Sequence, residues 1–244
     1  MKAGQEFIEK TKYHHLPPAD QTSGIPQPPL ELDYDQNAGL IELPLPQDMQ
    51  AYTADLTTAI QHRQSIRKYS PISMSLGELS HLLWCTQGVK EIRGNLTLRT
   101  VPSAGARHAL ETWLVINNVD DIQPGLYRFI ATKHQLELIE LSIDGDLTAA
   151  ATQLCHNQPF VRTAAALFIW VAVPYRMAWR YGDRAYRYLY LDAGHVCQNL
   201  YLAAESINAG VCAIAAYDDD GMNAFLGLDG KQAFAIYMAT VGMK

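Results

Sequence analysis

The sequence lacks the short motifs that mark several common catalytic and nucleotide-binding sites. GxGxxG and GxxxxGK[ST] are absent, so the chain carries neither the Rossmann nor the P-loop phosphate signature. GxSxG is absent too, which leaves a nucleophile elbow for acyl transfer without support. HExxH is missing and no second histidine stands at ligand spacing from His195, so the sequence predicts no metal site. We interpret His14 and His15 as an exposed pair in a flexible N-terminus.

Charged residues, cysteines and long apolar runs are also scarce. Only 18% of the 244 residues are charged and the net charge is −6, which argues against nucleic acid as a partner because phosphate-backbone binders usually carry a basic face. The four cysteines form no CxxC pair, so we interpret them as free thiols in a reducing compartment. The N-terminus lacks the apolar core of a signal peptide, and no apolar run approaches the ~20 residues that span a bilayer. The sequence therefore predicts a cytoplasmic protein without a membrane partner.

Proline is concentrated near the N-terminus. Seven prolines fall within residues 16–50, which excludes a helix there, yet the leucines of the same segment make it too apolar for a free linker. We expect an extended arm that lies along the main domain or along a partner subunit. The composition divides the chain into an N-terminal helix and proline-rich arm (residues 1–50) and a globular domain (residues 51–244).

Hydrophobic periodicity in the globular part predicts interspersed helices and strands. Ser75 and Glu78 form a capping box that starts one helix, and Gly88 ends it. The predicted helices are 52–63, 75–87, 144–156, 185–207 and 220–226. The predicted strands are 112–116, 125–131, 135–141, 165–173, 211–216 and 233–241. This pattern indicates an α+β or mixed α/β fold.

The stretch HRQSIRKY places Arg63, Ser65 and Arg67 at alternating positions. Alternate residues of an extended segment point the same way, and Arg binds phosphate through paired hydrogen bonds. A basic cluster in an acidic chain favours an anionic ligand. The alternative is a solvated basic turn, since the motif is too short to be specific.

Two further stretches point to close approach of a ligand or a neighbour. Residues 102–106, PSAGA, are small enough for the backbone to reach a flat ligand, although an ordinary helix-entry turn is equally compatible. Gly194 within a predicted helix costs ~1 kcal/mol relative to Ala, which suggests that something packs closely there. Beside it, Asp192, His195 and Asn199 permit proton-transfer chemistry, but we interpret His195 as a hydrogen-bonded core histidine.

Aromatic residues and the chain end complete the candidates. A cluster of aromatic side chains is compatible with a pocket wall or with an oligomer interface: Tyr175, Trp179, Tyr181, Tyr186, Tyr188 and Tyr190. Lys244 follows a predicted buried strand, where a cation can complete a phosphate site or simply belong to a frayed terminus.

In this order, the features resemble the FMN-dependent nitroreductase superfamily, and specifically its SagB-type dehydrogenase branch. The resemblance is carried by RQSIRKYSPISMSLGELSHLLWCTQGV (63–89), RTVPSAGARHALETWLV (99–115), PGLYRF (124–129) and RYGDRAYRYLYLDAGHVCQNLYLAAESINAG (180–210). PSAGARH followed by AGHxxQNLYLAA is specific to that branch.

The resemblance implies an α+β nitroreductase-like fold, with a central mixed, mostly antiparallel sheet flanked by helices, in an intertwined FMN-binding homodimer with two sites at the interface. It implies that Arg63, Ser65 and Arg67 hold the FMN phosphate and ribityl chain. The loop of Pro102, Ser103, Ala104 and Gly105 would reach the flavin from the opposite subunit. Ala213 and Ile214 would present backbone groups near the isoalloxazine, and Lys244 would be a basic phosphate ligand. Arg107 would contact the substrate or the flavin, or form an interface salt bridge. In such a dimer, we expect the proline-rich arm to pack on the dimer surface.

The function implied is an FMN-dependent oxidoreductase that passes a hydride through flavin N5. The donor would be NAD(P)H or an organic C–H, and the other substrate an unidentified small molecule or peptide. The alternatives are a non-redox flavin-binding or flavin-modifying protein of the same fold, and a flavin-free scaffold. Members that oxidise azolines carry a Lys-Tyr pair, where this chain offers Arg180-Tyr181 and Arg187-Tyr188. Because Arg stays protonated, azoline oxidation is in doubt, and Tyr181 and Tyr188 remain the candidate catalytic residues.

Overall fold

The structure, a computed structural model, describes residues 2–35, 39–47, 52–140 and 145–244. The helices in these residues are α1 (Lys2–Lys10), α2 (Leu56–His62), α3 (Leu76–Gln87), α4 (Leu147–Leu154), α5 (Pro159–Thr163), α6 (Pro174–Tyr181), α7 (Ala185–Glu205) and α8 (Asp219–Phe225). The strands are β1 (Leu40–Glu42), β2 (Val89–Arg93), β3 (Leu96–Arg99), β4 (Leu110–Ile116), β5 (Gly125–Ile130), β6 (Gln135–Leu138), β7 (Ala166–Ala172), β8 (Ala209–Ile214) and β9 (Phe234–Met243). None of the helices in the described ranges is long and apolar enough to cross a bilayer.

Seven strands form one sheet in the order β1-β6-β5-β4-β7-β9-β8, and β2 and β3 form a separate hairpin. Each neighbouring pair in the large sheet is antiparallel. Its inner strand β7, ALFIWVA, is buried at every position because helices cover both faces of the sheet. The predicted α+β class with a mostly antiparallel sheet flanked by helices is confirmed.

The long helix α7 and α3 cover one face of the sheet, and α4, α5 and α8 cover part of the other. The capping box predicted at the start of α3 is present, since Ser75 Oγ accepts from the backbone N–H of Glu78 at 3.2 Å and the Glu78 carboxylate accepts from Ser75 N at 2.8 Å. These contacts place α7 against β8 and β9, where the candidate site lies.

The proline-rich arm lies on the second face of the sheet, over β4, β5 and β6. It is held through its backbone by two buried Arg–Glu pairs, Arg176–Glu111 at 2.6 Å and Arg128–Glu137 at 2.8 Å. The arm therefore packs on the main domain of its own chain. Packing on a dimer surface stays a prediction, and the proposed boundary between residues 50 and 51 falls outside the described residues.

Several element boundaries differ from the predicted ones. The helix expected over 52–63 begins at Leu56, because the Asp55 side chain accepts from Thr58 N at 2.8 Å and caps it there. Residues 89–99, expected as a loop, form the β2–β3 hairpin, and α5 and α6 were not predicted. The end of the strand predicted over 135–141 and the start of the helix predicted over 144–156 fall on residues 141–144, which lie outside the described residues.

Candidate functional site

The Arg63–Arg67 segment follows α2 and is attached to the outer edge of the sheet. Ile66 N donates to Val211 O at 2.9 Å, and Ser65 forms a parallel bridge with Val211 of β8. Gly210 makes this contact possible, since a Cβ there would lie 2.6 Å from Ile66 Cβ. The chain thus holds this segment in an extended form against β8, as the alternating pattern predicted.

Tyr201 of α7 joins this segment to β8. Its hydroxyl lies 3.1 Å from Ser65 Oγ and accepts from the backbone N–H of Ala213 at 2.9 Å. The guanidinium carbon of Arg63 lies 5.2 Å from the centre of the Tyr201 ring. The structure therefore brings Ala213 close to Arg63 and Ser65, which the sequence analysis had selected in a different segment. Ile214, the next residue of β8, pairs with Met238 of β9.

The two arginines have no carboxylate partner within 4 Å in the described part of the chain. Arg67 instead lies 5.9 Å from the centre of the Phe160 ring. Ser65 and Arg67 are exposed and Arg63 is half-buried. The segment therefore offers two unneutralised guanidiniums and a hydroxyl to an anion, with Arg63 and Ser65 beside α7 and Arg67 beside α5.

A groove of about 470 Å³ opens between α7, the end of β8 and the start of β9, and we call it the α7 groove. Its lining residues are Tyr190, Ala193, Gly194, Ala215, Tyr217, Asp219, Phe234, Ala235, Ile236 and Tyr237. Apart from its chain neighbours and the backbone of its own helix, no described atom lies within 4 Å of a Cβ built on Gly194. The close packing predicted at Gly194 is therefore not found among the described residues, and the helix surface there is open.

The α7 groove and the arginine segment lie on one side of α7. Gly194 and Tyr201 are seven residues apart, which is about two helical turns and about 10 Å along the axis. Both therefore point in nearly the same direction. The candidate anion site and the aromatic groove thus lie along the same side of α7, although no residue of the arginine segment lines the groove.

The PSAGA loop is held by Asp192. Ser103 Oγ donates to Asp192 Oδ2 at 2.6 Å, and the backbone N–H of Ala104 donates to Oδ1 at 3.3 Å. Burial raises the pKa of the Asp192 carboxyl, against the lowering effect of these two donors. Asp192, which the sequence analysis weighed for proton transfer, thus positions the loop that follows Pro102.

Gly105 in this loop requires glycine for two reasons. Its φ is 59°, and a Cβ would lie 2.5 Å from the Tyr181 hydroxyl and 3.1 Å from the Arg180 side chain. Arg107 closes the loop, because its Nε donates to Gly105 O at 3.1 Å and its guanidinium carbon lies 5.4 Å from the centre of the Trp179 ring. Burial and the neighbouring Arg180 lower the pKa of Arg107.

The loop and the arginine segment lie on opposite sides of α7. Asp192 and Tyr201 are nine residues apart, which is about two and a half turns, so their side chains point in opposite directions. Within one chain, helical geometry therefore keeps the PSAGA loop apart from the Arg63–Arg67 segment.

The two candidate catalytic tyrosines pack edge to face, with ring centres 4.8 Å apart. Tyr181 contacts the PSAGA loop, whereas the Tyr188 hydroxyl faces the N-terminal segment, 2.8 Å from the Tyr13 hydroxyl. Arg184 Nε donates to the Tyr188 oxygen at 2.8 Å. Burial raises the pKa of the Tyr188 phenol, but the hydrogen bonds from Tyr13 and Arg184 outweigh it and hold this pKa below its ordinary value.

Four other predicted residues lie elsewhere. Lys244 Nζ pairs with the Glu205 carboxylate at 2.7 Å, and its backbone N–H donates to Asn208 O, so Lys244 is held beside the start of β8.

His195 is exposed, and its interpretation as a core histidine is wrong because its helical position turns it away from the sheet. Exposed ligand atoms of Glu9, His14 and His15 lie within 4.8 Å of one another, but Lys12 also occupies the Glu9 carboxylate.

Tyr201 is the residue that sequence reasoning missed. The available signal was its spacing, since Tyr201 follows Cys197 by four residues on the buried face of α7. Its partners lie far away in the chain, so spacing alone did not identify what it contacts.

Comparison with known proteins gives a consistent result. The sequence pattern described as the Nitroreductase family matches residues 60–243. The chain is 33% identical over 184 residues to a Methanocaldococcus jannaschii protein named as a nitroreductase, covering 75% of this chain and 87% of that protein. It is 29% identical over 148 residues to the trifolitoxin-processing protein TfxB of Rhizobium leguminosarum bv. trifolii, covering 52% of this chain and only 39% of TfxB. A solved structure from Ralstonia eutropha, described as a nitroreductase, superposes with a TM-score of 0.69 at 25% identity over 89% of this chain and 93% of that one.

Proposed function

Because the chain belongs to the nitroreductase family, we propose that it is an FMN-dependent oxidoreductase whose site is the α7 groove. The observation that carries this proposal is the unneutralised Arg63 guanidinium on Tyr201 of α7, about two helical turns along α7 from the open aromatic groove at Gly194. The similarity to TfxB supports a place in the SagB-type branch.

The residues present fit a phosphorylated flavin. The phosphate needs positive charge and hydrogen-bond donors; Arg63 and Arg67 would supply the charge, and Ser65 would supply a neutral hydroxyl donor. The flat ring needs a surface without a protruding Cβ, which Gly194 offers. The separation of about 10 Å along α7 lets one molecule reach both ends. Lys244 follows Met243, whose carbonyl accepts from Ser70 N at 2.9 Å, but its ammonium is held by Glu205 and would join the phosphate only after leaving that pair. When bound, FMN supplies the capacity to accept and donate a hydride.

A second copy of the chain is part of the proposal. The loop at Pro102–Gly105 lies on the side of α7 opposite to Arg63, so it would reach a flavin bound by Arg63 only in the other protomer. The exposed side of α7 suits such an interface, since Tyr190 and Leu191 are about 60% exposed and Gly194 has no described neighbour in its own chain. Nitroreductase-family proteins are often homodimers, which supports the same arrangement.

Within this site we assign proton transfer to a tyrosine. The Tyr181 hydroxyl lies against Gly105 of the loop, and Tyr188 packs on Tyr181, so a proton can be held at either phenol oxygen. Arg180 stays protonated, so it cannot accept a proton from a substrate. We therefore do not extend the proposal to azoline oxidation.

We propose NAD(P)H or an organic C–H as hydride donor, and a small molecule or a peptide as the other substrate. The name of TfxB, a trifolitoxin-processing protein, supports a peptide, but the chain matches well under half of TfxB's length. The reduction experiments described below identify the hydride donor.

The test begins with an absorption spectrum of the purified protein, where a flavin band is expected at about one flavin per chain. The double variant Arg63→Ala/Arg67→Ala is expected to lose the band while it stays folded. The matched control is Arg93→Ala/Arg162→Ala, which removes two exposed arginines that already have acidic partners. Full flavin retention by the first variant would remove these arginines from the site.

Anaerobic addition of NADH or NADPH then tests the redox assignment. Rapid bleaching of the flavin band supports the oxidoreductase. A flavin that neither nucleotide nor a chemical C–H donor reduces would favour a non-redox flavin-binding protein. A folded protein with no flavin band and no affinity for added FMN would contradict the proposal altogether.

A further inference from the structure

The turn that follows α1 gathers two histidines and a glutamate at the protein surface. Ligand atoms of Glu9, His14 and His15 all lie within 4.8 Å of one another, and all three residues are exposed. Among the described residues, no other group of three His, Cys, Asp or Glu side chains approaches this closely. Two imidazoles and a carboxylate are a donor set that suits zinc and related transition metals, whereas Mg²⁺ and Ca²⁺ favour oxygen ligands.

Backbone hydrogen bonds hold the three residues in this arrangement. Glu9 lies in the last turn of α1, and its carbonyl accepts from Lys12 N at 3.1 Å. Lys12 O accepts from His15 N at 3.0 Å, which closes the short 3-10 turn that carries both histidines. The same turn contacts α7, because the Tyr13 hydroxyl lies 2.8 Å from that of Tyr188. The ligands therefore stand on a hydrogen-bonded backbone, although their side chains face solvent.

The separation of the ligand atoms matches a zinc coordination shell. His15 Nε2 lies 3.3 Å from Glu9 Oε1, which is long for a charge-assisted hydrogen bond of about 2.7–2.9 Å. Zinc lies about 2.0–2.2 Å from nitrogen and oxygen ligands, so tetrahedral ligand atoms are about 3.4 Å apart. The ring centres of His14 and His15 are 4.1 Å apart. A small rotation of the exposed His14 side chain therefore completes the set of three ligands.

Lys12 is the cation that competes for this site. Its ammonium pairs with Glu9 Oε2, the carboxylate oxygen that His15 does not contact. A metal ion on Oε1 would leave this pair in place but would meet its positive charge. The neighbouring ammonium of Lys10 is already neutralised by Glu6 at 2.6 Å. Lys12 is therefore expected to weaken metal binding without blocking the ligand atoms.

The two arginines of α7 near α1 lie on the other side of this helix. Arg184 Nη1 donates to Thr11 O at 2.9 Å, and Arg187 Nε donates to Thr11 Oγ1 at 2.6 Å. Thr11 continues the helical hydrogen bonding, since its N–H donates to Phe7 O. Glu9 precedes Thr11 by two residues, about 200° around a helix, so its carboxylate points away from α7. The end of α1 also carries the negative pole of the helix dipole, which favours a cation there.

We propose that Glu9, His14 and His15 bind one divalent transition-metal ion of the Zn²⁺ type, which ties the end of α1 to the turn that carries Tyr13. Two imidazole nitrogens and Glu9 Oε1 are its protein ligands, and water completes the shell. The ion joins positions six residues apart and so stabilises the segment where Tyr13 meets Tyr188. The proposal goes beyond the flavin chemistry, since none of the three ligands lines the α7 groove.

Isothermal titration of Zn²⁺ into the untagged, chelator-treated full chain tests the site. We expect about one ion per chain with a micromolar or lower Kd, raised about tenfold or more in each of His14→Ala, His15→Ala and Glu9→Gln. The matched control His156→Asn removes an exposed imidazole outside the cluster, and Asn tolerates the positive φ of 53° there. It is expected to leave the Kd unchanged. Lys12→Gln, which removes the competing ammonium, is expected to lower it.

Hydrogen exchange tests the tie between α1 and the turn. Zn²⁺ is expected to slow exchange of the Lys12 and His15 amides, which close the turn, by about threefold or more. The variant His14→Ala should lose this effect while its circular dichroism spectrum stays that of the wild type. Unchanged exchange in zinc-bound wild type would overturn the tie.

Three results would overturn the site itself. The first is wild-type protein that binds Zn²⁺ only at millimolar concentration, as an adventitious ion does. The second is a loss of affinity in His156→Asn equal to that in the ligand variants. The third is a thiolate charge-transfer band when Co²⁺ replaces Zn²⁺, because that band would assign the ion to a cysteine.

Discussion

The hydroxyl oxygens of Ser65 and Tyr201 lie 3.1 Å apart, although the two residues are separated by 136 positions in the chain. Tyr201 also accepts from Ala213 N, so one phenol connects the basic segment, the long helix and the edge strand. The geometry of the candidate anion site therefore depends on a residue that carries no charge.

Tyr201→Phe tests this dependence. The change removes the partner of Ser65 Oγ and leaves the Ala213 N–H without its acceptor, which costs about 1–3 kcal/mol where such a group is buried. We expect a lower free energy of unfolding and an FMN affinity reduced by about tenfold. Urea unfolding and quenching of flavin fluorescence measure the two effects.

Tyr127→Phe is the matched control. Tyr127 is buried in the core and donates to Gln123 O at 2.8 Å, so the change also deletes one phenol hydrogen bond. It is expected to lower stability without changing FMN affinity. An equal loss of FMN affinity in both variants would show that Tyr201 acts through general stability.

Gly105→Ala is expected to disturb the PSAGA loop. The added Cβ meets the Tyr181 hydroxyl at 2.5 Å, and the backbone at φ 59° is strained for a residue with a side chain, a cost of about 1–3 kcal/mol. Adding Tyr181→Phe removes the clashing oxygen, so the double variant should regain the part of the stability that the clash removed. Thermal unfolding measures both variants.

Gly94→Ala separates backbone strain from the clash. Gly94 has a similar φ of 53°, but no described atom lies within 4 Å of its Cβ position. It should show the strain alone and no rescue by Tyr181→Phe. A loss at Gly105 no larger than that at Gly94 would contradict the assigned contact with Tyr181.

Local patterns in the sequence predicted local structure well. Ser75 and Glu78 stand three residues apart and satisfy each other, so the start of α3 was predictable. Asp55 is an equally local cap, and overlooking it misplaced the start of α2. The β2–β3 hairpin was missed because β2 is mostly exposed and lacks apolar alternation, although the turn at Gly94 was a visible signal.

Contacts between distant positions were not predictable in this way. The buried pairs Arg128–Glu137 and Arg176–Glu111 depend on strand register and on where the arm crosses the sheet, which no short window contains. The alternating pattern of HRQSIRKY selected Arg63 and Ser65, whereas their link through Tyr201 emerged only from the fold.

Asp192→Asn is expected to change how stability depends on pH. Because burial raises the folded-state pKa of Asp192 above its unfolded value, its contribution to stability is full below the unfolded pKa and is lost as pH rises through the folded pKa. The wild type should therefore lose stability relative to Asp192→Asn as pH rises from about 4. Urea unfolding over a pH series measures this difference.

Asp55→Asn gives the opposite slope. The backbone N–H and hydroxyl of Thr58 lower the pKa of Asp55, so its contribution is present above the unfolded pKa and is lost on acidification. The wild type should lose stability relative to Asp55→Asn as pH falls. The same slope for both variants would contradict the burial of ionised Asp192 beneath the loop.

Glu137→Gln tests the buried pairs that hold the arm. The change leaves the buried charge of Arg128 without its partner, which typically costs about 3–5 kcal/mol. Glu91→Gln, in the exposed pair with Arg93, should cost far less, because solvent screens that pair. Limited proteolysis of Glu137→Gln should also release the arm sooner. Equal stabilities for the two variants would mean that the arm does not depend on this pair.

Tyr13→Phe is expected to raise the pKa of Tyr188. In the wild type, Tyr13 and Arg184 both donate towards the Tyr188 oxygen and stabilise its phenolate, and the change removes one of these donors. The pH titration of tyrosinate absorbance in the near ultraviolet measures this, with Tyr188→Phe identifying the transition. Tyr175→Phe, whose hydroxyl faces Asp20, is the control and should leave the transition in place. If the low transition survives in Tyr13→Phe at its original pH, Arg184 alone sets the acidity of Tyr188, and the N-terminal segment has no influence on it.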